Sequence, residues 1–118
     1  MGMSIRFELV YGIQLDLERV DPEVLEELES DSYDNPASIL ELKSCGDCYQ
    51  NPERILAFRD RGWRGPDLRY ELPEGNAVQK LSDRKLPSSS EIEQAKKYFS
   101  DHELDWQEPD WFAAVTIT

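Results

Sequence analysis

Basic residues, cysteines and long apolar runs are all scarce in this sequence of 118 residues. It has 13 Lys and Arg against 25 Asp and Glu, which gives a formal net charge of -12 at pH 7. A protein with this charge repels nucleic acid and anionic membranes, and it attracts basic surfaces. We therefore expect a basic protein partner, with no direct binding to DNA or RNA and none to membranes.

The small number of cysteines and histidines limits the disulfides, metal sites and catalytic sites that the protein can form. Two cysteines and one histidine cannot form a disulfide framework or a complete four-ligand zinc site without other donors. The motifs of serine hydrolases, zinc proteases and phosphate-binding loops are also missing. The sequence therefore predicts a protein that is not an enzyme.

Targeting signals are equally scarce. No apolar stretch approaches the roughly 20 residues that a membrane-spanning helix needs. The first residues lack the basic and apolar regions of a secretory signal. We therefore expect a cytoplasmic protein.

The sequence has the length and the bulky side chains that one folded domain needs. Its length suits a single core, and 3 Trp, 5 Tyr and 4 Phe supply bulky side chains for it. We predict one α+β domain over residues 1–118, with residues 1–3 either disordered or left over from cloning.

The clearest pattern is the alternation of apolar and polar side chains from Ile5 to Leu17. Every odd position is apolar, and successive side chains of a β-strand point to opposite faces, so this register predicts one apolar face. Gly12 permits two interpretations: a single strand bent at the glycine, or a hairpin with the loop Val10–Gly12. We favour the bent strand, because Val-Tyr is a poor turn sequence.

Three stretches carry helix-start signals. They are Asp21-Pro22-Glu23 for a helix to about Glu29, Asn51-Pro52-Glu53 for a helix that Gly62 ends, and Ser88 with Glu91 for a helix that ends near Ser100. In the last of these helices, Glu93 and Lys97 are expected to pair one turn apart.

Further strands are predicted from short alternating or apolar runs. These strands are Ser38–Lys43, Leu68–Leu72 and Trp111–Ile117, whereas Trp63–Pro66 and Asp101–Asp110 are predicted to be irregular and Ala77–Leu81 a short helical turn. The fold class that follows is a predominantly antiparallel sheet of about four strands with two to three helices. Without the middle helix, the element order is the split-βαβ order of ferredoxin-like folds, so we predict that architecture with an extra helix.

Cys45-Gly46-Asp47-Cys48 is the one motif with a familiar outline. A CxxC motif that opens a helix lowers a thiol pKa and supports redox chemistry, but four residues separate this one from the predicted helix. A zinc site on Cys45, Cys48 and His102 would need a carboxylate or a second copy of the chain to complete it. The third interpretation, two reduced cysteines in a turn, is the one that we favour, and we predict no cofactor.

Acidic residues concentrate in two segments. Residues 16–34 contain nine acids against Arg19 alone, and residues 101–110 contain five acids and no Lys or Arg. On the predicted first helix, Glu23 and Glu27 lie one turn apart with Glu26 beside them, at about 5–6 Å between Cβ atoms. That spacing resembles the spacing of phosphates along a nucleic-acid strand. The alternative is an amphipathic helix that turns its charged side to water.

Three functions fit these observations. The first is binding of a basic partner, as an inhibitor, an immunity-type protein or a nucleic-acid mimic that acts on a nuclease or another nucleic-acid-binding protein. The others are a CxxC redox or zinc module and a structural subunit of a larger assembly. For the first function, the expected partner-binding residues are Glu23, Glu26, Glu27, Asp31, Trp63 and Arg64. Trp63 and Arg64 are included because tryptophan and arginine often anchor interfaces.

Overall fold

The chain forms a mixed β-sheet and two helices, as described by a computed structural model for residues 5–47, 52–59, 63–64 and 85–117. The elements are β1 (Ile5–Gln14), α1 (Pro22–Asp34), β2 (Leu40–Asp47), β3 (Glu53–Phe58), β4 (Trp63–Arg64), α2 (Ser89–Asp101) and β5 (Asp110–Ile117). The predicted α+β class is confirmed.

Four of the strands pair in a closed ring. β1 pairs antiparallel with both β5 and β3, and β2 pairs antiparallel with β3. β2 and β5 run parallel where Gly46 meets Thr116, and β4 lies beside Glu8 and Leu9 of β1. The prediction of a predominantly antiparallel sheet is therefore wrong, because the β2–β5 pairing makes the sheet mixed. A ferredoxin-like fold is not confirmed.

β1 runs without interruption through Gly12, so the single strand is confirmed and the hairpin is wrong. At this position β1 meets Ala57 of β3. A Cβ atom on Gly12 would overlap the carbonyl oxygen of Leu56 and would lie 2.7 Å from the Cα atom of Ala57. Glycine therefore allows the two backbones to approach closely enough to close the ring.

Successive side chains of a strand point to opposite faces of the sheet, and each face carries an apolar cluster. On the face covered by the helices, Ile13 of β1 packs with Leu28 of α1 and Phe99 of α2. On the opposite face, toward the inside of the ring, Val10 packs with Cys45, Ile55 and two alanines. Full burial of a side chain such as Phe99 contributes about 1.5–3 kcal/mol, so the first cluster holds the helices on the sheet.

The predicted apolar face of β1 is the face that the helices cover, but they do not cover its whole length. Ile13 and Leu15 are buried, whereas Phe7 and Leu17 near the two ends are 37% and 39% exposed. Val10, on the other face, is buried as well, because the closed ring gives the sheet a second apolar side.

α1 begins as predicted, with the Asp21 side chain accepting a hydrogen bond from the backbone N–H of Glu23 at 2.9 Å. It continues to Asp34, beyond the predicted end at Glu29. Two contacts from other elements hold this last part. Ser32 Oγ accepts from the Leu42 N–H at 2.7 Å, and Arg59 donates to the Ser32 carbonyl oxygen at 3.0 Å.

α2 has the predicted capping box. Ser88 Oγ accepts from the Glu91 N–H at 3.2 Å, and the Glu91 carboxylate accepts from the Ser88 N–H at the same distance. Glu93 lies 3.7 Å from Lys96 rather than pairing with Lys97 as predicted. Neither of the two described helices is long and apolar enough to cross a membrane.

The predicted helix after Asn51 is wrong, because residues 53–58 form β3. Four consecutive apolar residues, 55–58, are all buried, which is typical of a strand with both faces covered. Trp63 and Arg64 form β4 and not a loop. Gly62, the predicted strand Leu68–Leu72 and the predicted helical turn Ala77–Leu81 lie outside the described residues.

Candidate functional site

A strongly acidic surface of the described part of the chain lies along α1. We call it the α1 acidic face. It is a shallow depression lined by Glu23, Glu26, Glu27, Ser30, Asp31, Asp34 and His102. Its α1 residues recur at intervals of three and four, so they lie on one side of the helix.

The acidic side chains face outward because the other side of α1 is apolar. Leu28 is fully buried, and Val24 packs against the same cluster. Glu23, Glu26 and Glu27 are exposed, as predicted from the sequence. The apolar stripe therefore fixes the rotation of the helix and presents the carboxylates together.

The carboxylates of this face are not neutralised by the described basic side chains. Among residues that the structure describes, Glu23, Glu26, Glu27 and Asp34 take part in no ion pair. The basic side chains nearby are engaged elsewhere, in the pairs Arg54–Glu29 at 3.1 Å, Arg59–Glu41 at 3.0 Å and Lys43–Glu8 at 3.3 Å. The negative potential of the face is therefore directed at solvent.

Among the described contacts of this face, a side-chain hydrogen bond holds the carboxylate of Asp31 in place. The Tyr98 hydroxyl donates to Asp31 Oδ2 at 3.0 Å. Burial raises the pKa of Tyr98 above its ordinary value, and the hydrogen bond to Asp31 and its negative charge raise it further, while Arg59 opposes them. Asp31 therefore faces a tyrosine that stays neutral at physiological pH.

His102 forms the other wall of the depression. Its ring lies 4.4 Å from the Tyr98 ring, and its Nδ1 atom is 2.8 Å from the Tyr98 carbonyl oxygen at the end of α2. The contact of α2 with α1 through Tyr98 brings this histidine to the acidic residues. Nothing in the local sequence around His102 indicates that position.

Two of the predicted partner-binding residues belong to a strand and not to α1. Trp63 and Arg64 form β4 beside Leu9 and Glu8 of β1. Trp106, which lies between α2 and β5, packs edge-on against Phe99 at 5.3 Å between ring centroids. It therefore belongs to the edge of the core.

The candidate metal or redox residues are not brought together within the described part of the chain. Cys45 is 5% exposed and lies in β2, where it packs in the cluster inside the ring. The next described element is the strand β3, whereas a redox CxxC motif opens a helix. His102 lies on the α1 acidic face, and Cys48 lies outside the described residues. Within those residues, no three His, Cys, Asp or Glu side chains form a group that could hold a metal ion.

Asp34 and His102 are the charged or titratable members of the face that sequence reasoning missed. The predicted end of the first helix at about Glu29 leaves Asp34 outside it, although the spacing of Asp34 from Glu27 and Asp31 continues the helical pattern. Its position follows once α1 is known to extend to Asp34.

The arrangement can attract cations on a partner's surface. No family model, curated protein or solved structure matches this chain.

Proposed function

We propose that this protein binds a basic protein partner through the α1 acidic face. The observation that carries the proposal is the set of exposed carboxylates on one side of α1, which no described basic side chain neutralises. A net charge of -12 would extend the attraction beyond direct contact. The partner would bind without any chemical reaction.

The class of partner follows from the spacing of the charges. Carboxylates one helical turn apart lie about 5–6 Å apart at Cβ, which suits a cleft built to bind phosphates. The protein would then act as an inhibitor, an immunity-type protein or a nucleic-acid mimic toward a nuclease or another nucleic-acid-binding protein. The cytoplasmic location predicted from the sequence belongs to this proposal.

The experiment compares capture of host proteins by three immobilised chains. The wild type, the variant Glu23→Lys/Glu26→Lys/Glu27→Lys and a control variant are exposed to host extract treated with nuclease, and bound proteins are quantified by mass spectrometry. The control, Glu93→Lys/Glu103→Lys/Asp105→Lys, changes the formal net charge equally at exposed positions outside the α1 acidic face.

The proposal predicts a basic protein that the wild type and the control capture and the α1 variant loses. Circular dichroism establishes that each variant is folded. Equal capture by the two variants would show that charge on α1 has no special role. If neither variant captures the protein, binding depends on net charge alone. Either result would overturn the proposal.

A further inference from the structure

A second acidic surface lies where β1 ends, and it differs from the α1 acidic face in having an apolar floor. We call it the β1-end groove. Leu15, Leu17 and Phe112 supply apolar surface, and Asp16, Glu18, Glu53 and Glu108 supply carboxylates. Its volume of about 620 Å³ is large enough for several side chains of a partner.

The apolar floor is accessible at its centre. Leu17 is 39% exposed and Phe112 is partly buried, whereas Leu15 is 8% exposed. The described residues that line the α1 acidic face include no apolar one. The β1-end groove can therefore hold an apolar group as well as a charge.

The charged side chains that the structure describes around this floor are all acidic. Among the described residues, no lysine or arginine lines the groove, and only Asp16 of its four acids takes part in an ion pair, with Arg19 at 3.6 Å. That pair is well exposed, so it neutralises little of the field. A cationic group would gain several carboxylate contacts here without displacing a strong internal pair.

The wall of the groove is held by its own turn. The Asp16 side chain accepts from the Glu18 N–H at 3.1 Å, and the Asp16 carbonyl oxygen accepts from the Arg19 N–H at 3.0 Å. The Leu15 N–H donates to the Arg54 carbonyl oxygen at 3.0 Å, which ties the start of this turn to β3. Because the turn is already ordered, a ligand would lose little free energy in forming the site.

We propose that the β1-end groove binds an extended peptide segment in which apolar and basic residues alternate. The apolar side chain would pack on Leu17 and Phe112, and the flanking lysines or arginines would reach the carboxylates of Glu18 and Glu108 while their aliphatic stems cover the floor. Phosphate-bearing ligands are repelled by the same carboxylates. This inference extends the proposed function, since it gives the basic partner a second, partly apolar contact.

The test uses nuclear magnetic resonance on the complete ¹⁵N-labelled chain. Two capped peptides of equal charge are titrated into it: Lys-Leu-Lys-Leu-Lys and Lys-Ser-Lys-Ser-Lys. The leucine peptide is expected to shift the amide signals of residues 14–18 and 107–112 in a saturable manner. Partial burial of a leucine side chain predicts about 3- to 10-fold tighter binding than the serine peptide shows.

Two variants separate the groove from the rest of the surface. Leu17→Ser is expected to weaken binding of the leucine peptide about 3- to 10-fold, because it removes the exposed apolar floor. Leu86→Ser is the matched control, since Leu86 is 53% exposed and does not line the groove. It should leave binding unchanged.

The proposal fails if the two peptides bind equally, if both leucine variants behave alike, or if the shifts lie mainly on α1. Shifts that depend on protein concentration without peptide would indicate a second copy in the groove and would also overturn it. The variant with three lysines on α1 should still bind the leucine peptide with shifts in the groove. The outcome for the groove is thus independent of the capture experiment on α1.

Discussion

The Tyr98 hydroxyl on α2 donates a hydrogen bond to Oδ2 of Asp31 on α1, with 3.0 Å between the two oxygen atoms. This bond joins the α1 acidic face to the second helix. A hydrogen bond to a charged group contributes about 1.5–3 kcal/mol, and partial exposure places this one toward the lower end. Tyr98→Phe should therefore lower the free energy of unfolding by about 1–2 kcal/mol in a urea titration.

Tyr33→Phe is the control for that measurement. Tyr33 is also on α1, but it is 88% exposed, so its replacement should change the free energy of unfolding by less than about 0.5 kcal/mol. If Tyr98→Phe is as stable as Tyr33→Phe, the bond between the helices contributes nothing measurable.

Alkaline pH should destabilise the fold partly through the same tyrosine. Tyr98 has an ordinary pKa of 10.0, and burial with the hydrogen bond to Asp31 raises the pKa in the folded protein. The stabilisation of the folded state that results from the raised pKa of Tyr98 is fully present below about pH 10. Above that, the unfolded chain has released a proton that the folded chain still holds, so stability falls until the pH passes the folded pKa.

Urea unfolding between about pH 9 and pH 11 tests this dependence. The wild type and Tyr33→Phe should lose stability in parallel as the pH rises, and Tyr98→Phe should lose less. Some dependence will remain, because burial and the nearby charges of Asp110 and Glu108 also raise the pKa of Tyr11. Identical slopes in all three proteins would contradict the assignment to Tyr98.

Arg59 stabilises the end of α1, which has no basic residue in its own last turn. It donates to the carbonyl oxygens of Ser32 at 3.0 Å and Asn35 at 3.2 Å, and to the Glu41 carboxylate at 3.0 Å. Its guanidinium group is planar and matches these acceptors, which an ammonium group cannot do. Arg59→Ala should lower the free energy of unfolding by about 2–4 kcal/mol. Arg59→Lys should lower it by less, but should not restore the stability of the wild type.

The matched control for Arg59 is Arg19→Ala. Arg19 lies 3.6 Å from Asp16 in a pair whose side chains are 77% and 54% exposed. Exposed pairs of this kind are worth about 0–1 kcal/mol, so chemical unfolding should barely distinguish this variant from the wild type. Equal costs for Arg59→Ala and Arg19→Ala would show that Arg59 does not hold the end of α1.

Two glycines should respond very differently to the same substitution. Gly12→Ala places a methyl group against the backbone of Leu56 and Ala57, so β1 and β3 must separate. We expect Gly12→Ala to lower the free energy of unfolding by about 3 kcal/mol or more, because the strand ring opens between β1 and β3. Gly46 has no atom within 4 Å of an added Cβ but has φ of +86°, so Gly46→Ala should cost only about 1 kcal/mol.

Thermal and urea unfolding of the two alanine variants compare these costs directly. If Gly12→Ala is as stable as Gly46→Ala, the close approach of β1 and β3 is not what closes the ring.

Local signals in the sequence predict the elements that depend on their own residues. The alternation in β1, the Asp21 cap of α1, the Ser88–Glu91 capping box and the final strand are all present in the structure. In each case neighbouring residues contain both the pattern and its physical cause.

The failures occur where distant contacts decide the structure. Asn51-Pro52-Glu53 is a good helix start by itself, but burial of Leu56 and Phe58 between β2 and the helices favours a strand. The end of α1 depends on Ser32 and Arg59, which bond across to other elements. The parallel pairing of β2 with β5 joins segments about 70 residues apart, and no local pattern indicates it.

The residues of the α1 acidic face also differ in whether local sequence or distant contacts decide their position. Spacing along one helix is enough to place Glu23, Glu26 and Glu27 on a common face. Asp34 requires the correct length of α1, and His102 requires the packing of α2 through Tyr98. Surfaces built from one element could therefore be predicted, and those built from two could not.

The salt dependence of binding to the captured partner tests the central claim most directly. For the wild type and the control triple variant, the dissociation constant should rise about tenfold or more between roughly 0.05 M and 0.5 M sodium chloride. The variant with lysine at positions 23, 26 and 27 should bind at least about tenfold more weakly at low salt and show a much flatter dependence. The same affinity and slope for all three proteins would contradict binding through the α1 acidic face.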